Sequence, residues 1–234
     1  MADYKKPDHL QLKARKEAYP ARSVYKLQEI DEKFKIFEIH TGNHNSLHKS
    51  RRVLDIGAAP GSWSLYVLRK FAGVATGVAT GGAQQSFLTA ADLSPLSREF
   101  DKDPKNRNSK NQALFDADNF FFIQGDVTNE AIRESILAKG PYTTIISDVA
   151  PATTGSHVVD SARSLDLAET VVAYAESALV PGGNLAVKIF QGSGTDKLLK
   201  HMRELFTSAK SFKPQACRGE SVETYFIGMC KRDV

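Results

Sequence analysis

The sequence predicts an α/β protein built on a mostly parallel sheet with helices on both faces. Short runs of β-branched and aromatic residues alternate with helical patterns along most of the 234 residues, which is typical of βαβ units. The composition, 41% hydrophobic and 25% charged, is that of a globular chain and excludes collagen-like, coiled-coil and wholly disordered classes. A chain of this length buries enough apolar surface to fold without a disulfide or metal.

Two amphipathic helices precede the first strand. Apolar residues recur at spacings of three and four from Asp8 to Phe37, a pattern that predicts helix. Pro20 divides the stretch in two, and Ser23 is the candidate N-cap of the second helix. We therefore predict that residues 1–50 form a basic helical extension with a polar connector, and that residues 51–234 form a single α/β domain.

Six strands and four further helices alternate after the connector. The predicted strands are residues 52–57, 86–92, 120–126, 143–148, 183–190 and 223–230, and the predicted helices are residues 62–71, 129–138, 161–179 and 194–209. Residues 73–86 and 99–118 are rich in Gly, Gln, Asn and Lys and are predicted to be loops of low order.

Positive charge is concentrated in the N-terminal segment. Residues 1–52 contain twelve Lys and Arg against seven Asp and Glu, whereas the remaining 182 residues contain 19 and 20. This asymmetry is expected of a polyanion-binding segment attached to a near-neutral body. A solvated basic face is the alternative.

The sequence disfavours metal, disulfide and membrane functions. Its two cysteines form no CxxC motif, which indicates a reducing compartment, and no Cys or acid cluster accompanies His40, His44 and His48. The N-terminus lacks the apolar region of a signal peptide, and the uncharged stretch 71–91 is too rich in Gly and polar residues to span a bilayer. We predict a cytoplasmic monomer that binds no metal.

The residues after the predicted strands carry the chemistry, because ligands of open α/β sheets bind at the carboxyl ends of the strands. A run of small residues from Asp55 to Trp63 follows the first strand, without the motifs typical of dinucleotide or triphosphate sites. Asp92, Asp126 and Asp148 each end a strand-like run. Several carboxylates at one edge favour a cationic, nucleoside-like ligand over a phosphate-rich one, although each acid could instead be a helix N-cap.

Six motifs occur in the order found in one known family. They are Arg22–Asp31, Asp55–Trp63, Gln124–Asp126, Ser147–Pro151, Val187–Gly192 and Ser221–Tyr225. Together they resemble the FtsJ (RrmJ) ribosomal RNA 2′-O-methyltransferases. The resemblance implies a Rossmann-like fold dependent on S-adenosylmethionine (SAM), and a structured RNA substrate, a uridine in large-subunit rRNA. The stretches 71–91 and 97–120 are longer than the family leads us to expect, and Cys217 stands where a serine is usual.

The resemblance also implies the site residues. The catalytic set falls on Lys26, Asp148, Lys188 and Glu223, and the cofactor set on Gly57, Ala59, Pro60, Gly61, Trp63, Asp92, Asp126 and Asp148. A lysine acts as a base only in its neutral form, which burial or a second cation favours. Lys188 lies in an apolar strand, so we expect it to be the base, with Lys26 as the second cation and the two acids orienting the amines. A core lysine that reaches the surface is the alternative for Lys188.

Two other functions stay open from the sequence. The same chemistry could act on tRNA, or the chain could be a non-catalytic RNA-binding or ribosome-assembly protein.

Overall fold

A computed structural model describes residues 8–38, 51–75, 86–103, 113–219 and 221–233. The strands are β1 (Arg52–Ile56), β2 (Phe87–Asp92), β3 (Phe120–Gln124), β4 (Tyr142–Ser147), β5 (Leu179–Phe190), β6 (Phe206–Phe212) and β7 (Glu223–Lys231). The α-helices are α1 (His9–Lys16), α2 (Val24–Phe34), α3 (Ser62–Ala75), α4 (Glu130–Leu137), α5 (His157–Ala178) and α6 (Thr195–Leu205), and two short 3-10 helices span Arg98–Phe100 and Leu114–Asp116.

The strands form one sheet in the order β3-β2-β1-β4-β5-β7-β6. The strands β1 to β5 pair in parallel, and β7 lies antiparallel between β5 and β6. Since β1 has β2 on one side and β4 on the other, the strand order reverses there, which is where ligands bind in such sheets. The predicted mostly parallel α/β fold is confirmed.

Helices cover both faces of the sheet, and each face carries a large buried apolar cluster. On one face Ile136 of α4, Val171 of α5 and Met202 of α6 belong to a single buried cluster. On the other face Ile30 of α2 and Leu65 of α3 belong to a second cluster. The strand β4 is buried along its whole length, as expected of a central parallel strand covered on both sides.

The helix α2 is fixed against α3 by polar contacts as well as by burial. The buried Asp31 accepts a hydrogen bond from the Tyr66 hydroxyl at 2.7 Å and forms an ion pair with Lys70. Ser23 lies at the N-cap position, where its side chain makes no capping hydrogen bond. Its carbonyl oxygen instead accepts a hydrogen bond from Nε1 of Trp63 at 2.8 Å. The helix α2 of the basic N-terminal segment is therefore fixed in position against α3.

The prediction for residues 194–209 is wrong at its end. The helix stops at Leu205, and residues 206–209 begin β6, which pairs with β7. Phe206 and Ala209 are buried in this strand, so pairing and packing outweigh the helical periodicity that continues into it. The helix α5 also starts about one turn earlier than predicted, at His157.

Parts of the two predicted loops are ordered. Residues 98–103 and 113–118 contain both 3-10 helices, and an isolated bridge pairs Lys102 with Ala113. Residues 76–85 and 104–112 lie outside the described residues, as do His40, His44 and His48. Within the described ranges no helix has the length and apolarity needed to cross a membrane, and no three His, Cys, Asp or Glu side chains form a possible metal site.

Candidate active site

Four charged side chains from separate parts of the chain meet at one end of the sheet. Lys26 lies in α2, Asp148 follows β4, Lys188 lies in β5 and Glu223 begins β7. Nζ of Lys188 lies 3.0 Å from Oδ1 of Asp148 and donates to the backbone oxygen of Asp148 at 2.6 Å. Nζ of Lys26 lies 3.9 Å from the same Oδ1 and forms an ion pair with Glu223. The structure thus brings together the residues predicted to be catalytic, which we call the tetrad.

The side chains of the tetrad are largely buried, each at most 16% exposed. Burial would raise the pKa of Asp148, but Lys188 and Lys26 outweigh it and hold the pKa below its ordinary value. Burial would lower the pKa of Lys26, but Asp148 and Glu223 outweigh it and raise the pKa. Lys26 is therefore a fixed cation at neutral pH, compensated by the two acids.

Tyr225 joins the two acids of the tetrad, a role that the sequence analysis missed. Its buried hydroxyl lies 2.6 Å from Oδ1 of Asp148 and 2.9 Å from Oε1 of Glu223, and burial together with these acids raises its pKa well above the ordinary value. It therefore stays protonated as a donor. Tyr225 lies two residues after Glu223 in β7, and it pairs in register with Lys188. Side chains two residues apart on a strand lie on the same face, so the sequence could have indicated that Tyr225 lies near the tetrad.

A cavity of about 440 Å³ opens at the carboxyl ends of the parallel strands. Its lining includes five of the residues predicted to bind the cofactor: Gly57, Ala59, Asp92, Asp126 and Asp148. A cavity of this size suits a small ligand or cofactor. Its three carboxylates favour a ligand that carries positive charge.

Two of the cavity acids also shape the backbone around them. Oδ2 of Asp92 accepts from the Ala59 amide at 2.9 Å, and its Oδ1 accepts from the Ser94 amide at 2.7 Å. Oδ1 of Asp126 accepts from the amide and hydroxyl of Thr128, and these bonds lower the pKa of Asp126. The side chains of both acids are thus fixed by hydrogen bonds at the lining of the cavity.

Gly57 meets a steric requirement at the end of β1. Its φ is +77°, and a Cβ at this position would lie 2.6 Å from Cα of Val149. Only glycine combines this conformation with so close an approach. The loop after β1 can therefore lie directly against the segment that follows β4.

Pro60, Gly61 and Trp63 are not among the residues that line this cavity. Trp63 is 2% exposed and packs its ring 5.9 Å from that of Tyr225, in addition to its bond to Ser23. Gly61 is buried as well, whereas Pro60 is exposed. Their direct contact with a cofactor stays a prediction.

A second, basic cleft of about 260 Å³ lies on the other side of the tetrad. Its lining combines Arg22, Lys26 and Arg218 with Glu223. Arg22 is held there by contacts to Asp8 and to the backbone oxygen of Ala216. Asp148 lines the acidic cavity whereas Lys26 and Glu223 line the basic cleft, so the tetrad lies between the two. This arrangement suits a transfer of a group from a cationic donor to a polyanionic acceptor.

Asp55 is a buried acid beneath the site. It is 1% exposed, and Oδ2 accepts from the Ser64 hydroxyl at 2.7 Å. Among the described residues Oδ1 has no hydrogen-bond partner. Burial, together with the nearby charges of Asp148 and Asp92, raises the pKa of Asp55 from 3.8 to about 7.

Asp55→Asn is expected to gain stability relative to the wild type as the pH rises. Between about pH 4 and 7 the folded wild type holds a proton that the unfolded chain has lost, so its stability falls as the pH rises and stays reduced above pH 7. The shift corresponds to at most about 4 kcal/mol. Denaturant unfolding at pH 5 and pH 8 measures the difference, with the exposed Asp118→Asn as control. A stability difference independent of pH would contradict the prediction.

Comparison with known proteins agrees with this arrangement. The model of the family described as FtsJ-like methyltransferase matches residues 19–231. The chain is 40% identical over 226 residues to the Ribosomal RNA large subunit methyltransferase E of Treponema denticola, covering 97% of this chain and 96% of that protein. It is 36% identical over 232 residues to the protein of the same name from Sorangium cellulosum, covering 98% and 90%.

Solved structures agree at the level of the fold. A Plasmodium falciparum protein described as a ribosomal RNA methyltransferase superposes with a TM-score of 0.65 at 21% identity, covering 91% of this chain and 98% of that one. A chain of a fibrillarin/Nop5p complex superposes with a TM-score of 0.52 at 16% identity, covering 88% and 82%. The Rossmann-like class predicted from the sequence is thereby confirmed.

Proposed function

The chain belongs to the FtsJ-like methyltransferase family, and from this premise we propose that it transfers a methyl group from SAM to the ribose 2′-OH of a nucleotide in large-subunit ribosomal RNA. A uridine is the proposed target. The observation that carries this proposal is the position of the tetrad between an acidic cavity of nucleoside size and a basic cleft. The relatives named above act, by their names, on large-subunit ribosomal RNA.

The acidic cavity fits SAM by the chemistry of its walls. We propose that Asp92 receives the ribose hydroxyls and that Asp126 receives the exocyclic amine of the adenine. Asp148 would face the positively charged end of SAM, and Gly57 and Ala59 line the same cavity. When bound, SAM supplies an electrophilic methyl group at its sulfonium.

In the proposed mechanism the tetrad positions and deprotonates the 2′-OH. A ribose hydroxyl that enters from the basic cleft meets Lys26 and Glu223 first. Lys26 stays charged and orients the hydroxyl oxygen. The neutral form of Lys188 accepts the hydroxyl proton. Alignment of the oxygen with the methyl carbon provides a large part of the rate enhancement.

Transfer of a labelled methyl group from SAM tests the proposal. Purified large ribosomal subunits, protein-free large-subunit rRNA and tRNA are offered in parallel, and the modified nucleotide is mapped. We expect incorporation on a ribose of the large subunit or its rRNA. Incorporation into tRNA alone would reassign the substrate, and no incorporation into any RNA would favour a non-catalytic RNA-binding protein.

Asp126→Ala is expected to weaken SAM binding. Loss of a charge-assisted hydrogen bond typically costs about 1.5–3 kcal/mol, which corresponds to a rise of roughly tenfold to a hundredfold in Kd. Calorimetry with SAM and with its demethylated product measures the affinity, and NAD should not compete. The matched control is Asp118→Ala, an exposed acid near the start of β3. An affinity equal to that of the wild type would refute the proposed adenine contact.

Neutralising the exposed charges of α1 is expected to weaken RNA binding and its salt dependence. Arg15 and Lys16 are exposed, and the neighbouring Ala14 belongs to a buried cluster with Ala216, which lines the basic cleft. In the double variant Arg15→Gln/Lys16→Gln, the slope of log affinity against log salt should become shallower by about 0.7–0.9 for each phosphate that the variant no longer neutralises.

The control for this experiment is the double variant Lys200→Gln/Arg203→Gln. Both residues are exposed on α6, which packs on the other face of the sheet. Its slope should equal that of the wild type. Equal slopes for both double variants would show that α1 is a solvated basic face.

A further inference from the structure

Gly61, at the end of the loop that follows β1, is covered by a side chain from the long segment after β2. Its φ is +111°, and a Cβ here would lie 2.9 Å from Cζ of Phe115 and 3.7 Å from Cδ2 of Leu96. Phe115 is 6% exposed. The space left by the missing side chain of Gly61 is therefore filled by a phenyl ring from within the protein, although Gly61 was predicted to bind the cofactor.

The phenyl ring is itself fixed from two sides. It stacks on Phe120 at the start of β3, with ring centroids 5.0 Å apart. The guanidinium of Arg98 lies 5.6 Å from its centroid, and Nη2 of Arg98 lies 2.8 Å from Asp101 and 2.6 Å from Asp116. Arg98 thus joins the two 3-10 helices, and Phe115 has little freedom to leave Gly61.

The same segment also holds the loop through the backbone. The amide of Ser97 donates to the carbonyl oxygen of Pro60 at 2.9 Å. On the other side of the loop, Asp92 accepts from the amide of Ala59, which lines the acidic cavity. The loop is therefore held on one side by Asp92, which lines the cavity, and on the other side by Ser97 and Phe115.

We infer that Phe115 is a positioning residue for SAM: by packing on Gly61 it fixes the loop 57–61 in the conformation that binds the cofactor. This inference rests on the proposed function, which assigns SAM as the ligand of the loop 57–61. It gives a role to part of the stretch 97–120, which is longer than the family resemblance leads us to expect. Residues that support a site from behind act by holding the contacting groups in place.

The test compares Phe115→Ala with Phe115→Leu, which keeps an apolar side chain. Kd for SAM is measured by calorimetry, and KM for SAM, KM for RNA and kcat are measured on methyl transfer. In Phe115→Ala, Kd and KM for SAM should rise about tenfold, the low end of what residues that support metal ligands typically cost. KM for RNA and kcat at saturating SAM should stay near the wild type, and Phe115→Leu should recover most of the affinity.

Phe121→Ala is the matched control, because it removes a stacked phenyl group of β3 whose ring partner is Phe87. It should bind SAM like the wild type. If Phe115→Ala does not fold, Arg98→Gln decides, since the Arg98 side chain is 52% exposed and should tolerate replacement. Its Kd for SAM should rise, because it removes the contacts that hold Phe115 in place. Kd for SAM unchanged in folded Phe115→Ala or, where that variant does not fold, in Arg98→Gln would overturn the inference, as would RNA and SAM affinities that fall together. Failure of the wild type to bind SAM would instead count against the proposed function.

Discussion

Lys188→Ala is expected to reduce methyl transfer by about 10²–10⁴-fold, the usual contribution of a positioned general base, while SAM affinity stays near that of the wild type. The Lys188 side chain is 8% exposed and contacts Asp148. It is not among the described residues that line the acidic cavity. Single-turnover methyl transfer and calorimetry with SAM measure the two quantities separately.

The contacts of Lys188 fix the position of its amine. A base needs a lone pair, which a neutral amine has and an ammonium lacks. The Asp148 backbone and carboxylate oxygens lie 2.6 and 3.0 Å from Nζ. They hold Nζ beside Asp148, at the end of the sheet where the tetrad meets.

Lys188→Arg is the sharper variant. Arginine keeps a positive charge and could still hold a hydroxyl, but it does not give up its proton in a protein. We expect it to be as inactive as Lys188→Ala, with SAM binding retained. Turnover close to that of the wild type would exclude Lys188 as the base and leave it as an orienting cation.

Asp148→Asn is expected to impair both activity and stability. Oδ1 of Asp148 lies near Nζ of Lys188, Nζ of Lys26 and the Tyr225 hydroxyl. Removing this charge leaves the buried lysines with less compensation, which typically costs up to about 3–5 kcal/mol. Methyl transfer should fall at least about a hundredfold, and because Asp148 lines the acidic cavity, Kd for SAM should rise as well.

Glu223→Gln is the matched comparison for Asp148→Asn. It also removes one carboxylate from Lys26, but Glu223 lines the basic cleft rather than the acidic cavity. Calorimetry should therefore show retained SAM affinity in Glu223→Gln and reduced affinity in Asp148→Asn. Unfolding in denaturant measures the stability of both variants. Equal SAM affinities in the two variants would refute the assignment of Asp148 to the cofactor side.

The parts of the site that follow strand ends were accessible from the sequence. Parallel strands present their carboxyl ends at one edge, so an acid after each strand is enough to bring Asp92, Asp126 and Asp148 to one cavity. The positions of Lys26 and Glu223 required the family resemblance. No local pattern indicates that a helix near the N-terminus and the last strand meet.

Other features depend on packing that no local pattern encodes. The strand β6 follows α6 without a break, and its assignment as a strand depends on pairing with β7. Trp63 follows the glycine-rich loop directly, and its bond to Ser23 directs it towards α2. The contact of Phe115 with Gly61 joins positions separated by α3, β2 and the first 3-10 helix. Such contacts between distant positions are fixed by the whole fold.

The position of β7 between β5 and β6 has a consequence for protein synthesis. β6 leaves the ribosome before β7 but contacts the sheet through it, so a nascent or truncated chain that lacks β7 has an uncovered β5 edge and a β6 strand without a pairing partner. Exposed edges of this kind promote aggregation. The same strand supplies Glu223 and Tyr225, so the tetrad is complete only when β7 has joined the sheet. Premature termination before residue 223 therefore yields an aggregation-prone chain with an incomplete tetrad rather than a partly active enzyme.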